Sequence, residues 1–268
     1  PDNTLTAIAQ RDFGKRAAPI VRRAWSFFSE GMRHHPQLDY YRGTYFIGPA
    51  QPLVLDPNAR ADNLDPAFFG QFYWHWENSV TGDDTILVTG QPLFFSSPNF
   101  RAFKRRGPDR NRDVALDELQ EMARLWERGV KELEKARQHV PASCRKRFNR
   151  KFILCQHLAY TWRSGANVEE FLRLRNIIKE FSGRSWVRSG HERENRRDLK
   201  RMEDIAREEL AIAKKDLTLV RKTDFLDLGL RLDMGTASTP VILKAKIDQV
   251  TNLLKHELPA WREELLRW

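Results

Sequence analysis

At 268 residues, 41% of them apolar, the chain can bury a sizeable core in one large domain or two small ones. No uninterrupted apolar run approaches the roughly 18 residues that a spanning helix needs, which excludes a helical membrane protein. Lys and Arg number 46 against 36 Asp and Glu, and this formal charge of +10 favours anionic partners at long range.

Residues 2–10 read as a short helix or a linker. From Lys15 to Arg33 a clearer helix places Ala18, Val21, Trp25, Phe28 and Met32 on one face. Pro19 fits only in its first turn, and His34-His35-Pro36 ends it.

The stretch from Tyr40 to Phe100 differs in kind. Prolines at 49, 52, 57, 66, 92 and 98 punctuate it, and no period persists. Its apolar pieces, Tyr45-Phe46-Ile47, Leu53-Val54-Leu55, Ile86-Leu87-Val88 and Leu93-Phe94-Phe95, are candidate short strands. A loop this long in a compact domain is more often functional than idle.

Residues 113–181 form the organising feature, a helical hairpin. Leu116, Leu119, Ala123, Trp126, Val130 and Leu133 share one face of the first arm. Phe148, Phe152, Cys155, Ala159, Trp162 and Ala166 repeat the spacing on the second. Pro141 lacks an amide hydrogen and stops the first arm, and Ser143 is the expected N-cap of the second. Cys144 and Cys155 then lie on one arm, about 16 Å apart at a helical rise, too far for a disulfide.

A basic linker from Ser182 to Asn195 follows. Leu199, Met202, Ala206, Leu210, Ala213, Leu217 and Val220 mark the next long helix. Asp224 to Thr239 is irregular, Val241 to Leu258 is helical again, and Pro259 should kink or restart the last segment. The fold class expected is mainly α: long antiparallel helices in a bundle with one long irregular excursion. Residues 1–112 supply the first helix and the excursion, residues 113–268 the bundle, in one continuous domain.

The tests for chemistry return few positives. There is no phosphate-cradling glycine loop, no paired cysteine motif and no His-Glu-x-x-His helix, and adjacent His34-His35 lack the spacing for a metal pair. No cofactor is implied. The densest feature is Phe72-Tyr73-Trp74-His75-Trp76-Glu77-Asn78. Strand-like alternation would put Trp74 and Trp76 on one side, and Tyr73, His75 and Glu77 on the other. Aromatic faces suit the apolar face of a sugar ring, while Glu, His and Asn can bond its hydroxyls. Tyr73, Trp74, His75, Trp76 and Glu77 are therefore the candidate substrate-binding residues. The competing expectation is that these rings simply pin the loop to the bundle.

The order of the pieces resembles the C-terminal helical region of large bacterial glycoside-hydrolase-like proteins, which follows a catalytic barrel. The resemblance rests on Asp12-Phe13-Gly14, Ala17-Ala18 and residues 24–29, then on Gly48-Pro49-Ala50-Gln51-Pro52-Leu53. It continues through Trp126-Glu127-Arg128-Gly129, Leu133-Glu134, Ala166-Asn167, Phe171 and Leu174-Arg175, and the helix from Glu208 to Val220 leading to Asp224 and Leu228-Gly229. It implies that the carboxyl pair for glycoside cleavage lies on the upstream barrel, for which this chain has no room. The chain, which begins at Pro1 without an initiator Met, is then expected to be the accessory part of an exported bacterial protein.

Its expected partners are that barrel, as a domain or a second chain, and a glycan; the positive charge suits an acidic polysaccharide. Two rival readings differ in class. One is a scaffold whose apolar seams bind another helical chain. The other is a nucleic-acid binder using the Arg145–Lys151 and Arg184–Arg201 stretches, against which stands the separation of those charges from the aromatic stretch.

Overall fold

The computed structural model describes residues 2–35, 52–55, 110–181, 192–223 and 238–266. Within them the chain is helical: α1 (Asp2–Phe13), α2 (Ala18–Arg33), α3 (Arg110–Ala136), α4 (Arg145–Phe181), α5 (Glu192–Val220), α6 (Thr239–Asn252) and α7 (Leu258–Leu266). It divides into two units. The first comprises Pro1–Gln37 with Arg110–Arg163, the second Leu38–Asp109 with Ser164–Trp268. The division falls inside the continuous helix α4.

In the first unit, residues 2–13 are fully helical rather than a linker. Gly14 makes the turn at φ +89, a conformation that a side chain disfavours. Its N–H closes α1 on Gln10 O at 2.9 Å, and its carbonyl accepts from Ala18 N at 3.0 Å to open α2. Pro19 sits in the first turn of α2, where its missing N–H costs nothing.

Helices α2 and α3 run antiparallel. His34 Nδ1 lies 2.7 Å from Glu118 Oε2 near one end, and Arg23 Nε donates to Glu132 Oε2 at 3.3 Å near the other. Between them Phe28 packs on Trp126, ring centroids 4.6 Å apart. Each ring is seated on a glycine of the opposite helix, Trp126 on Gly31 and Phe28 on Gly129.

The hairpin is present as well. Trp126 and Trp162 meet at 6.2 Å, Arg163 grips the Glu127 carboxylate through two bonds of 2.7 and 2.9 Å, and Arg137 covers Phe152 at 4.4 Å. From the Trp126–Trp162 contact to that of Arg137 with Phe152 the chain advances on one arm and retreats on the other, the mark of antiparallel helices. The connection differs in detail from expectation. Helix α3 passes into a short 3-10 turn at Arg137–His139, and a second such turn, Ala142–Cys144, precedes α4. Ser143 lies inside that second turn and does not cap α4. Pro141, at φ −60 and ψ 152, is the N-cap of that 3-10 turn.

The second unit packs residues 164–181 of α4 against α5, α6 and α7. Its core gathers Val168, Phe171, Leu172, Ile178, Leu199, Met202, Ile205, Val250, Leu253 and Trp261. As expected, the helix restarts at Pro259: α6 ends at Asn252, one π turn follows at Leu253–Glu257, and α7 begins at Leu258 with Pro259 as its second residue. There Leu258 N–H donates to Leu253 O, five residues back. The wider turn re-registers the helix just ahead of a residue that cannot donate.

Leu53-Val54-Leu55 is not a strand. It is a buried, irregular piece with Leu53 and Leu55 inside the second core. The other candidate strands, at 45–47, 86–88 and 93–95, lie outside the described residues.

Candidate functional site

The candidate substrate-binding residues Tyr73, Trp74, His75, Trp76 and Glu77 lie outside the described residues. What the structure defines is the root of the segment that carries them. Pro52 through Leu55 are all buried, and two side chains from different helices hold their backbone.

Gln249 of α6 does so in the manner of a neighbouring strand. Its Nε2 donates to Leu53 O at 2.5 Å, and its Oε1 accepts from Leu53 N at 3.1 Å. One primary amide thereby satisfies both backbone polar groups of the buried Leu53, which has no strand beside it among the described residues. Arg175 of α4, fully buried, donates from Nη1 to Val54 O at 2.9 Å. A buried guanidinium is costly unless hydrogen-bonded, so this contact both requires and fixes the position of the segment. Leu53 and Leu55 then fill the apolar space around Phe171, Leu174 and Val250. The result is a clamp that combines side-chain burial with three hydrogen bonds to main chain.

A second polar cluster lies sealed in the same unit. Glu209 of α5 presents Oε2 to Ser164 Oγ at 2.7 Å and to Lys246 Nζ at 3.1 Å, while its Oε1 accepts from Asn167 Nδ2 at 3.0 Å. The Glu209 and Lys246 side chains are both 0% exposed. Burial lowers the Lys246 pKa, and the Glu209 carboxylate opposes that shift by charge and hydrogen bond. This carboxylate has its acceptors occupied by three donors from two other helices and no solvent path. It joins α4, α5 and α6, and is built for holding rather than for proton transfer to a substrate.

Nor does the Cys155 thiol offer a nucleophile. Cys144 and Cys155 are free, as expected, and burial pushes the Cys155 thiol up to about 11, away from thiolate chemistry. Among the described residues no group of three or more His, Cys, Asp or Glu could hold a metal ion, and no helix is long and apolar enough to cross a membrane.

Sequence reasoning missed Gln249, Glu209, Lys246 and Ser164. A signal existed for the charged ones. Lys246 stands at helical core spacing between Leu243 and Val250, as Glu209 does between Ala206 and Ala213. A charged residue on an apolar face asks for a partner. Gln249 carried no such signal, because its partner is a backbone far away in the chain. Compared with known proteins, the chain matches no family model, no curated protein and no solved structure.

Proposed function

We propose that this chain is the accessory C-terminal helical module of a carbohydrate-active, glycoside-hydrolase-like protein. In this reading it packs on a catalytic barrel and presents the aromatic segment around Trp74 and Trp76 to a glycan. The observation that carries it is the clamp. Leu53, Phe171, Leu174 and Arg175, all residues on which the resemblance rests, meet at one place, the root of the long excursion. Asn167, another of them, braces Glu209 in the same unit. A rigid helical scaffold that grips an irregular segment by its root is the arrangement by which folds display binding loops.

The catalytic carboxyl groups belong to the barrel in this reading. Glu209, sealed and bonded, is not offered as one of them. The scaffold alternative loses its motive, since the apolar seams that would have bound another helix, Trp126 and Trp162 among them, are buried within each unit.

The test uses the protein joined to its barrel. Replacing Trp76 by Ala should raise the dissociation constant for a neutral oligosaccharide while leaving the melting temperature nearly unchanged. Unchanged affinity with a marked fall in melting temperature would make the aromatic stretch packing only, and the reading would fail.

A further inference from the structure

Two turns of the first unit meet, and the meeting concentrates positive charge. Gly14 lies against Pro141 so closely that a Cβ there would come within 2.6 Å of the ring. Phe13 and Phe148 pack edge to face at 6.0 Å, and Arg147 Nη1 donates to Asp12 Oδ1 at 2.7 Å. These contacts bring Arg11, Lys15 and Arg16 to the same end as Arg145, Lys146, Arg147, Arg150 and Lys151, all of them exposed.

Carboxylates are scarce at this end. Asp12 serves Arg11, at 2.8 Å, as well as Arg147. From Arg145 to Val168 helix α4 contains neither Asp nor Glu. The side chains of Lys15, Arg16, Arg145 and Lys146 make no hydrogen bond or ion pair among the described residues. Most charge runs are solvated faces with acids interspersed; this one is not. Positive side chains crowded on the first turns of α4 also repel one another and oppose the helix dipole, a cost that a bound polyanion would offset.

We propose that this end of the first unit is a docking surface for an acidic polysaccharide, a chain bearing repeated carboxylate or sulfate groups. The assignment rests on the carbohydrate reading above and adds to it the class of glycan. Charges drawn from two turns and two helices suit an anion repeated along a chain better than a single small ion. Phe13, Phe148 and Phe152 are buried and Trp25, which meets Phe13 at 6.1 Å, is half-buried, so among the described residues no fully exposed Phe, Tyr or Trp accompanies the charges; together with the carbohydrate reading, this favours a sugar acid over single-stranded nucleic acid.

The experiment titrates the full chain with a sulfated decasaccharide, a neutral oligosaccharide of equal length and a short DNA duplex, at about 0.15 M salt. A variant carrying Lys15→Gln, Arg16→Gln, Arg145→Gln and Lys146→Gln is compared with one carrying Lys214→Gln, Lys215→Gln, Arg221→Gln and Lys222→Gln, which removes the same charge from the second unit. The sulfated chain should bind, more weakly as salt rises, and lose about tenfold or more in affinity only in the first variant, through lost counter-ion release. Both variants should melt like the parent protein. Equal loss in the two would reduce the effect to net charge and overturn the surface. Tighter binding of the duplex would overturn the ligand class, and the carbohydrate reading would lose support with it. Preference for the neutral oligosaccharide, untouched by the first variant, would sink this surface alone and leave the carbohydrate reading standing.

Discussion

The Phe28 ring lies against Gly129 so closely that a Cβ added there would come within 2.3 Å of its Cε1. Gly31 stands in the same relation to Trp126, whose Cδ1 would be 2.8 Å from such a Cβ. The two glycines face opposite ways across the α2–α3 contact, and the rings they seat touch each other. Helices approach where the glycines make room, and the aromatics fill the space beside them.

Gly129→Ala should therefore destabilise the first unit, although alanine is the better helix former by about 1 kcal/mol. Overpacking a filled core costs about 1–3 kcal/mol, and Phe28 cannot easily retreat because Trp126 blocks it. Thermal unfolding of the variant should show a lower midpoint. A higher midpoint would mean that the ring has room to move.

Glu209 and Lys246 give a second expectation, with a sign that depends on which partner remains. Removing either charge alone strands the other in the core at a cost of about 3–5 kcal/mol. Lys246→Met combined with Glu209→Gln should cost less than the two single changes added together, since the amide still meets Ser164 or Asn167 and no charge stays buried. The lowered Lys246 pKa fixes the pH trend as well. The unfolded chain, with its lysine at the ordinary 10.5, holds that proton more tightly than the folded one. This group therefore makes stability rise with pH from its lowered folded value up to 10.5. Denaturant midpoints across the alkaline range should show that contribution vanish in Lys246→Met. Additive single effects would mean that the pair is not coupled.

How much of this was legible depended on whether a signal was local. The hairpin was, because Trp126 and Trp162 stand in apolar spacings that only one helix face can satisfy, and the rings do meet. Pro19 and Pro141 were read correctly as first-turn and stop signals. Ser143 was misread, because a hydroxyl near a helix start is only one of the ways to begin it, and Pro141 already held the extended position. Pro259 was read correctly as a restart, while the π turn that precedes it leaves no mark in the sequence. The root of the long segment was hidden for a different reason. Leu53-Val54-Leu55 looks like a strand, and its hydrogen bonds are of the kind a strand makes. Its partner, however, is a glutamine side chain, which leaves no periodic trace.

That partnership yields the last expectation. The Leu53 amide donates to Gln249 Oε1 and its carbonyl accepts from Gln249 Nε2, both within a buried site. Such an amide exchanges only when the segment leaves its seat, so Leu53 N–H should be strongly protected from deuterium although it belongs to no helix or sheet. Gln249→Leu removes both bonds while keeping an apolar side chain of similar size, and should cost about 1–3 kcal/mol for the groups left unsatisfied. Gln249→Glu keeps an acceptor for the amide but sets a negative oxygen against the Leu53 carbonyl, so it should fare no better. In both variants Leu53 should lose its protection first. Amides in the middle of α3, such as that of Met122 in the other unit, should keep theirs. If Leu53 exchanges freely in the parent protein, the clamp does not hold the segment, and the display role built on it goes too. If Leu53 and Met122 lose protection together, Gln249 supports the whole fold rather than the root of one loop.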